Sequence, residues 1–233
     1  MSAHRIVNIR RPSASVAAQE VTTTVRPVLG PTPVEASAIV QRIKPRFADI
    51  ASTYDTRKYW PQVYERVAEA FKTPTRVAPE ILDEALRWKF GHLGKPRIPG
   101  SHRELIHQLQ REWPRLAPDI PSSPAGAFAF LDAQLGGPSR FITIAFLVHL
   151  LFQAGIPIID QHNFRAVHRL LRESRPGWRG RKKPSRFEDI ELVAWFMDAV
   201  ITAWQSEAES NAPSSRELDK FLMMYGKSIK AAP

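Results

Sequence analysis

From Pro33 onward the apolar positions of the chain recur at three- and four-residue spacing, the period of a helix that buries one face. Residues 34–51 (VEASAIVQRIKPRFADIA) make one such run, and Pro45 inside it predicts a bend. Residues 61–72 place Val63, Tyr64, Val67, Ala70 and Phe71 on one face. Residues 79–90 open on Pro79 and repeat apolar positions at Ile81, Leu82, Ala85 and Leu86. Three Ser-x-x-Glu sequences, Ser101/Glu104, Ser185/Glu188 and Ser214/Glu217, resemble capping boxes and predict helices over 102–113, 186–208 and 215–227. Residues 124–135 form a further run, closed by Gly136-Gly137. No segment alternates with period two. The expectation is an all-α chain of about eight or nine helices, without internal repeats.

The most apolar stretch is Phe141–Ile159 (FITIAFLVHLLFQAGIPII). Its helical part is expected to end near Phe152, which gives about 18 Å at 1.5 Å per residue, short of the ~30 Å hydrocarbon core. With His149, Gln153 and Pro157 inside the stretch, it reads as a buried central helix and not a membrane span. His149 is then expected to be a core histidine with its hydrogen bonds satisfied.

Composition adds charge to this picture. The 233 residues hold 33 Lys+Arg, 23 Asp+Glu and no cysteine, for a formal charge of +10. The missing thiols exclude disulfides, cysteine nucleophiles, zinc-thiolate sites and iron–sulfur clusters. A basic chain fits a polyanionic partner. The charge is uneven. Residues 172–186 (RESRPGWRGRKKPSR) hold seven basic residues and one Glu, whereas residues 187–233 hold four basic and eight acidic ones. The Gly/Pro content of 172–186 marks a loop. Trp178, Arg179, Arg181, Lys182 and Lys183 within it suit a surface that tracks phosphates, although a solvated loop or a localisation signal has the same composition. The acidic residues Glu188, Asp189, Glu191 and Asp198 read as a solvated or partner-facing surface. Residues 1–32 are Ser/Thr/Pro/Arg-rich. They are expected to form a flexible basic arm with some transit-peptide character, ahead of one helical domain over 33–233 or two helical lobes with a cleft between them.

Chemistry concentrates in Gly155-Ile-Pro-Ile-Ile-Asp160-Gln-His162-Asn-Phe-Arg165-Ala-Val-His-Arg169-Leu170. Asp160 ends an apolar stretch and starts a helical one. An N-cap carboxylate is held by backbone N–H groups and by the positive end of the helix dipole. A fixed anion of this kind stabilises an oxocarbenium-like sugar as an N-glycosidic bond breaks, and it can orient or deprotonate the attacking water. The same residue can equally be an N-cap and nothing more.

This segment resembles the signature of the helix-hairpin-helix DNA glycosylases, the superfamily of endonuclease III, the adenine glycosylase and the oxoguanine glycosylase. In that signature apolar-Pro-apolar-apolar-Asp-x-His is followed by Arg three residues after the His, and Asp160, His162, Arg165, Arg169 and Leu170 fall at those offsets. Upstream, Leu135-Gly136-Gly137-Pro138-Ser139-Arg140-Phe141 stands where the family has Leu-Pro-Gly-x-Gly and a buried helix. Here Pro and Gly are permuted and Ser139 takes the place of the second hairpin glycine. The resemblance covers residues 135–171. It implies a helical glycosylase fold with a helix-hairpin-helix-like turn, Asp160 as the catalytic group, and DNA contacts from Gly136, Gly137, Ser139, Arg140, His162 and Arg165. Phe141 occupies the position of the Schiff-base lysine, which implies a monofunctional, cluster-free hydrolase.

A second candidate is residues 87–103 (RWKFGHLGKPRIPGSHR). Glycosylases extrude the target base and hold it between aromatic surfaces. Trp88, Lys89, Phe90 and His92 offer stacking rings and cations for such a pocket or wedge, unless Trp88 and Phe90 are core residues at a helix end. Nucleotide-binding, hydrolase and metalloprotease motifs are absent and the histidines lack metal-ligand spacing, so neither a cofactor nor a metal is expected.

The expected function is a DNA glycosylase acting on duplex DNA with an extruded base, in base excision repair or in defence against phage DNA with modified bases. No membrane and no nucleotide cofactor is expected, and a monomer is favoured. The setting would be a bacterial cytoplasm, nucleoid-associated, or a eukaryotic nucleus or organelle. Two alternatives remain: a non-catalytic basic DNA-binding module, and an all-α ribonuclease of the HEPN type, which Arg97-x4-His102 resembles.

Overall fold

The computed structural model describes residues 30–57, 59–136, 140–207 and 211–231, and every regular element among them is helical. In chain order the α-helices are α1 (Pro33–Ile43), α2 (Phe47–Ser52), α3 (Pro61–Ala70), α4 (Pro79–Lys89), α5 (Gly100–Leu116), α6 (Pro124–Leu135), α7 (Phe141–Leu151), α8 (Gln161–Ser174), α9 (Phe187–Gln205) and α10 (Ser215–Ala231).

Proline sets several of the starts. It is the first residue of α1, α3, α4 and α6, where its missing N–H costs no intrahelical bond and its φ already suits a helix. The expected bend at Pro45 is a 3-10 turn, Lys44–Arg46, between α1 and α2. Ser214 and Glu217 form the expected capping box. The Glu217 carboxylate accepts the Ser214 N–H at 2.8 Å, and the Ser214 hydroxyl accepts the Glu217 N–H at 3.3 Å.

The other two predicted boxes do not form. α5 begins at Gly100 with Pro99 at its N-cap, two residues too early for Ser101 to cap it. α9 begins at Phe187 with Arg186 at the N-cap, and Asp189, not Glu188, accepts the backbone N–H groups of Ser185 and Arg186 at 2.7 and 3.2 Å. Asp189 is therefore buried, which corrects its placement on a solvated acidic face.

The expected arm, residues 1–32, lies outside the described residues as far as residue 29. Its last residues are tied down. Thr32 and Glu35 form a capping box on α1, and Arg175 reaches both the Gly30 carbonyl and the Glu35 carboxylate.

The closest helix pairings fall into two sets: α3 with α4 and α7, α4 with α5, and α6 with α7; then α8 with α10 and α9, and α1 with α8 and α9, with α2 against α10. One apolar cluster runs through both sets. α7 is the buried central helix that the sequence predicts, with nine of its eleven residues buried. His149 on it is satisfied: Nδ1 meets the Ile156 carbonyl at 2.5 Å and Nε2 meets the Tyr64 hydroxyl at 2.7 Å. Among the described residues no helix is long and apolar enough to cross a membrane.

α8 and α10 make the most extensive pairing, and Gly226 explains how close they come. A Cβ at that position would collide with the backbone carbonyl of His162. Only a hydrogen fits between the two backbones, so the N-terminal turn of α8 sits directly on α10.

Candidate active site

Asp160 is the N-cap of α8. Its Oδ1 accepts the backbone N–H groups of His162 at 2.6 Å and Asn163 at 2.9 Å, and Asn163 Oδ1 accepts the Asp160 N–H at 2.8 Å in return. This is a capping box with Asn at the third helical position. Its last member carries the polar network further. Asn163 is almost wholly buried, and its Nδ2 donates to the Ile158 carbonyl at 2.5 Å and to Asp219 Oδ1 at 3.0 Å. One residue thus touches two carboxylates that lie 59 residues apart in the chain, Asp160 through its backbone N–H and Asp219 through its side-chain amide.

Asp219 lies on α10, two turns before the Gly226 crossing. It forms part of the wall of a cavity of about 430 Å³. Tyr54, Tyr64 and Trp88 supply aromatic surface there, Arg216 and Lys220 supply positive charge, and the 153–158 connector and α9 complete the walls. The cavity is thus bounded by residues from both helix sets. Burial pushes the Asp219 carboxyl up to about 7; the neighbouring Asp160 charge adds to this, and the hydrogen bond from Asn163 together with Lys89 and Lys220 opposes it. Near neutral pH this carboxyl is present both as acid and as anion.

Tyr64 has a defined role at the wall. His149 Nδ1 faces a carbonyl, which can only accept, so Nδ1 carries the ring proton and Nε2 accepts from the Tyr64 hydroxyl. The Tyr64 oxygen is left as an acceptor. Burial holds His149 down at about 4, consistent with a neutral ring.

The pocket segment Trp88–His92 divides in two. Trp88 lines the cavity, packs against Tyr59, Tyr64 and Phe146, and donates its indole N–H to the Trp60 carbonyl at 3.1 Å. Lys89 reaches the Ile159 carbonyl at 2.9 Å, immediately before Asp160, and lies over the Phe146 ring. Burial lowers its pKa, while Asp160 and Asp219 act to raise it. Phe90 and His92 turn the other way. Phe90 stacks on His102 at 4.1 Å and His92 bonds His102 at 3.0 Å, a cluster separate from the cavity. His102 lies in the first turn of α5 while Arg97 lies exposed in the loop before it, so the Arg-x4-His pair does not share a helix.

The hairpin candidates are described only in part. Gly137 and Ser139 lie outside the described residues. Gly136 closes α6 at a φ of 35°, a region that favours glycine. Arg140 turns its guanidinium back onto the Leu135 carbonyl. His162 supplies its backbone N–H to Asp160, and Arg165 donates to the Gly226 carbonyl at 3.0 Å, bracing the α8–α10 crossing.

The basic strap after α8 folds back along that helix. Trp178 donates to His168 Nδ1 at 2.9 Å, Arg175 lies over the Trp178 ring, and Arg181 pairs with the buried Asp189 and lies over Phe164. Trp178 and Arg181 are thus engaged in the fold, whereas Arg179, Lys182 and Lys183 are exposed. Asp219 escaped the sequence reading. Its signal was an acidic residue at helical spacing from Leu222 and Gly226, on the flank of the buried Leu218–Phe221–Leu222 face.

No family model, no curated protein and no solved structure matches the chain.

Proposed function

We propose that the chain is a DNA glycosylase that hydrolyses the N-glycosidic bond of a damaged or modified base and leaves an abasic site. The observation that carries the reading is the bridged pair of carboxylates beside an aromatic-walled cavity: Asp160 on its backbone cap, Asn163 between, and Asp219 at the wall. The cavity accepts the extruded base, with Trp88 and the tyrosines supplying ring surface. Asp160 stabilises the developing positive charge on the sugar. Exposed Arg179, Lys182 and Lys183, within a chain of net charge +10, supply phosphate contacts on duplex DNA. The biological setting is base excision repair or defence against phage DNA carrying modified bases, in a compartment that holds DNA. The resemblance of residues 135–171 to the helix-hairpin-helix glycosylases is the second support.

The test is base release measured by mass spectrometry on duplexes with oxidised, alkylated or deaminated bases and on hypermodified phage DNA. Free base and an alkali-labile site are expected, with Asp160→Asn losing at least about 100-fold in rate while still binding DNA. Equal product from that variant removes Asp160 from its role. Salt-dependent DNA binding without release of any base leaves the non-catalytic DNA-binding module as the reading.

A further inference from the structure

Cleaving an N-glycosidic bond sets two separate charge problems. The sugar becomes positive, and the departing base takes the bonding electron pair. Asp160 answers only the first. We propose that Asp219 is the acid that protonates the departing base, an assignment that rests on the glycosylase reading above.

Three observations converge on it. Asp219 is part of the cavity wall, whereas Asp160 is not. Asn163 Nδ2 holds Asp219 Oδ1 at 3.0 Å, which fixes the carboxyl and leaves Oδ2 as the atom that carries the proton. The walls beside it, Tyr54, Tyr64 and Trp88, are those suited to a planar ring. Other titratable groups face it. From other elements these are Asp160 at the α8 N-cap, Lys89 on α4, Tyr54 after α2 and Tyr64 on α3. His149 on α7 and Asp198 on α9 share the cavity wall, as do Arg216 and Lys220 on its own helix. His149 is committed to Tyr64 and Ile156, and Lys89 to the Ile159 carbonyl. A carboxyl that titrates near 7 is matched to proton donation there.

The step balances as follows. The C1′–N bond breaks and its electron pair goes to the base, which takes the proton from Asp219 and leaves neutral. A water oxygen bonds to C1′ and gives its proton to the Asp160 carboxylate. Asp219 ends as the anion and Asp160 as the acid, and exchange with solvent restores both. The substrate class follows: a base that is neutral in the duplex and needs a proton to leave, as opposed to one already cationic through alkylation.

The test is single-turnover base release between pH 5.5 and 9 on the DNA the wild type processes. The wild-type rate should fall about tenfold per pH unit above about 7. Asp219→Asn should lose at least about 100-fold at pH 6 together with that slope, and Asp219→Glu should recover the slope. A wild-type rate that is flat across this range overturns the assignment. So does an Asp219→Asn variant that keeps the slope, because a merely structural carboxylate would lower the rate without changing its pH dependence. Absence of base release by the wild type from every DNA overturns the glycosylase reading itself, a different result from either.

Discussion

The two sides of α8 handle polar groups in opposite ways. On the strap side three groups are matched within the fold, Trp178 with His168, Arg175 with Glu35 and Arg181 with Asp189, while Arg179, Lys182 and Lys183 stay exposed. On the cavity side Asn163 gathers two carboxylates of like charge, and one of them borders open space. Matched polar groups hold a fold in one arrangement. Like charges brought together at a cavity cost stability and persist where they are put to use. Part of the most cationic stretch of the chain is therefore taken up in packing, and on the proposed reading the chemistry collects at the carboxylate pair.

Three changes test that contrast, beginning with the largest. Gly226→Ala forces the α8 and α10 backbones apart and should cost at least about 3 kcal/mol, because the obstacle is main chain and no rotamer relieves it. Chemical denaturation would measure this, and a cost under about 1 kcal/mol would show that the crossing yields easily. On the strap side, Trp178→Ala removes a half-buried ring together with its bond to His168. It should cost about 2 kcal/mol, near 5 °C in Tm, while base release per folded molecule is unchanged. Lost release from a fully folded variant would place the strap in the site.

The smallest effect is in pH dependence, and it separates the Asp219 carboxyl from the buried histidines by sign. Asp219 has its folded pKa raised from 3.8 to about 7, so its protonated form is favoured on folding, and that contribution is lost as pH rises between these values. Asp219→Asn should therefore be more stable than the wild type at pH 8, by on the order of 1–2 kcal/mol, and close to it at pH 4. His149 and His168 are both held down at about 4 from 6.5 by burial, so their contribution is present above 6.5 and lost as pH falls through 4. Urea unfolding at pH 4, 6 and 8 should show both limbs, with the alkaline one absent from Asp219→Asn.

Much of this was legible in the chain. Proline at helix starts, the apolar run of α7 and the position of Asp160 before a helical segment each state a local rule, and local rules can be read from one sequence. The capping signals at Ser101 and Ser185 misled because the helices begin two residues before the one and one residue after the other predicted start. Asp219 was hidden for a different reason. Its surroundings come from α3, α4, α8 and the residues after α2, and its helical spacing from Leu222 and Gly226 does not say that they will enclose it. Composition likewise shows the strap's seven cations but not the acidic partners at positions 35 and 189 that meet two of them.

The crossing at Gly226 also bears on how such a protein can diverge. With α8 set on α10 backbone to backbone, the spacing between the Asp160 and Asp219 helices leaves little room for gradual adjustment by side-chain size. Ala194 and Met197 on α9 and the small residues of the 153–158 connector border the same cavity without that constraint. Drift in what the cavity admits is open at those positions, while the carboxylate pair stays where the glycine puts it.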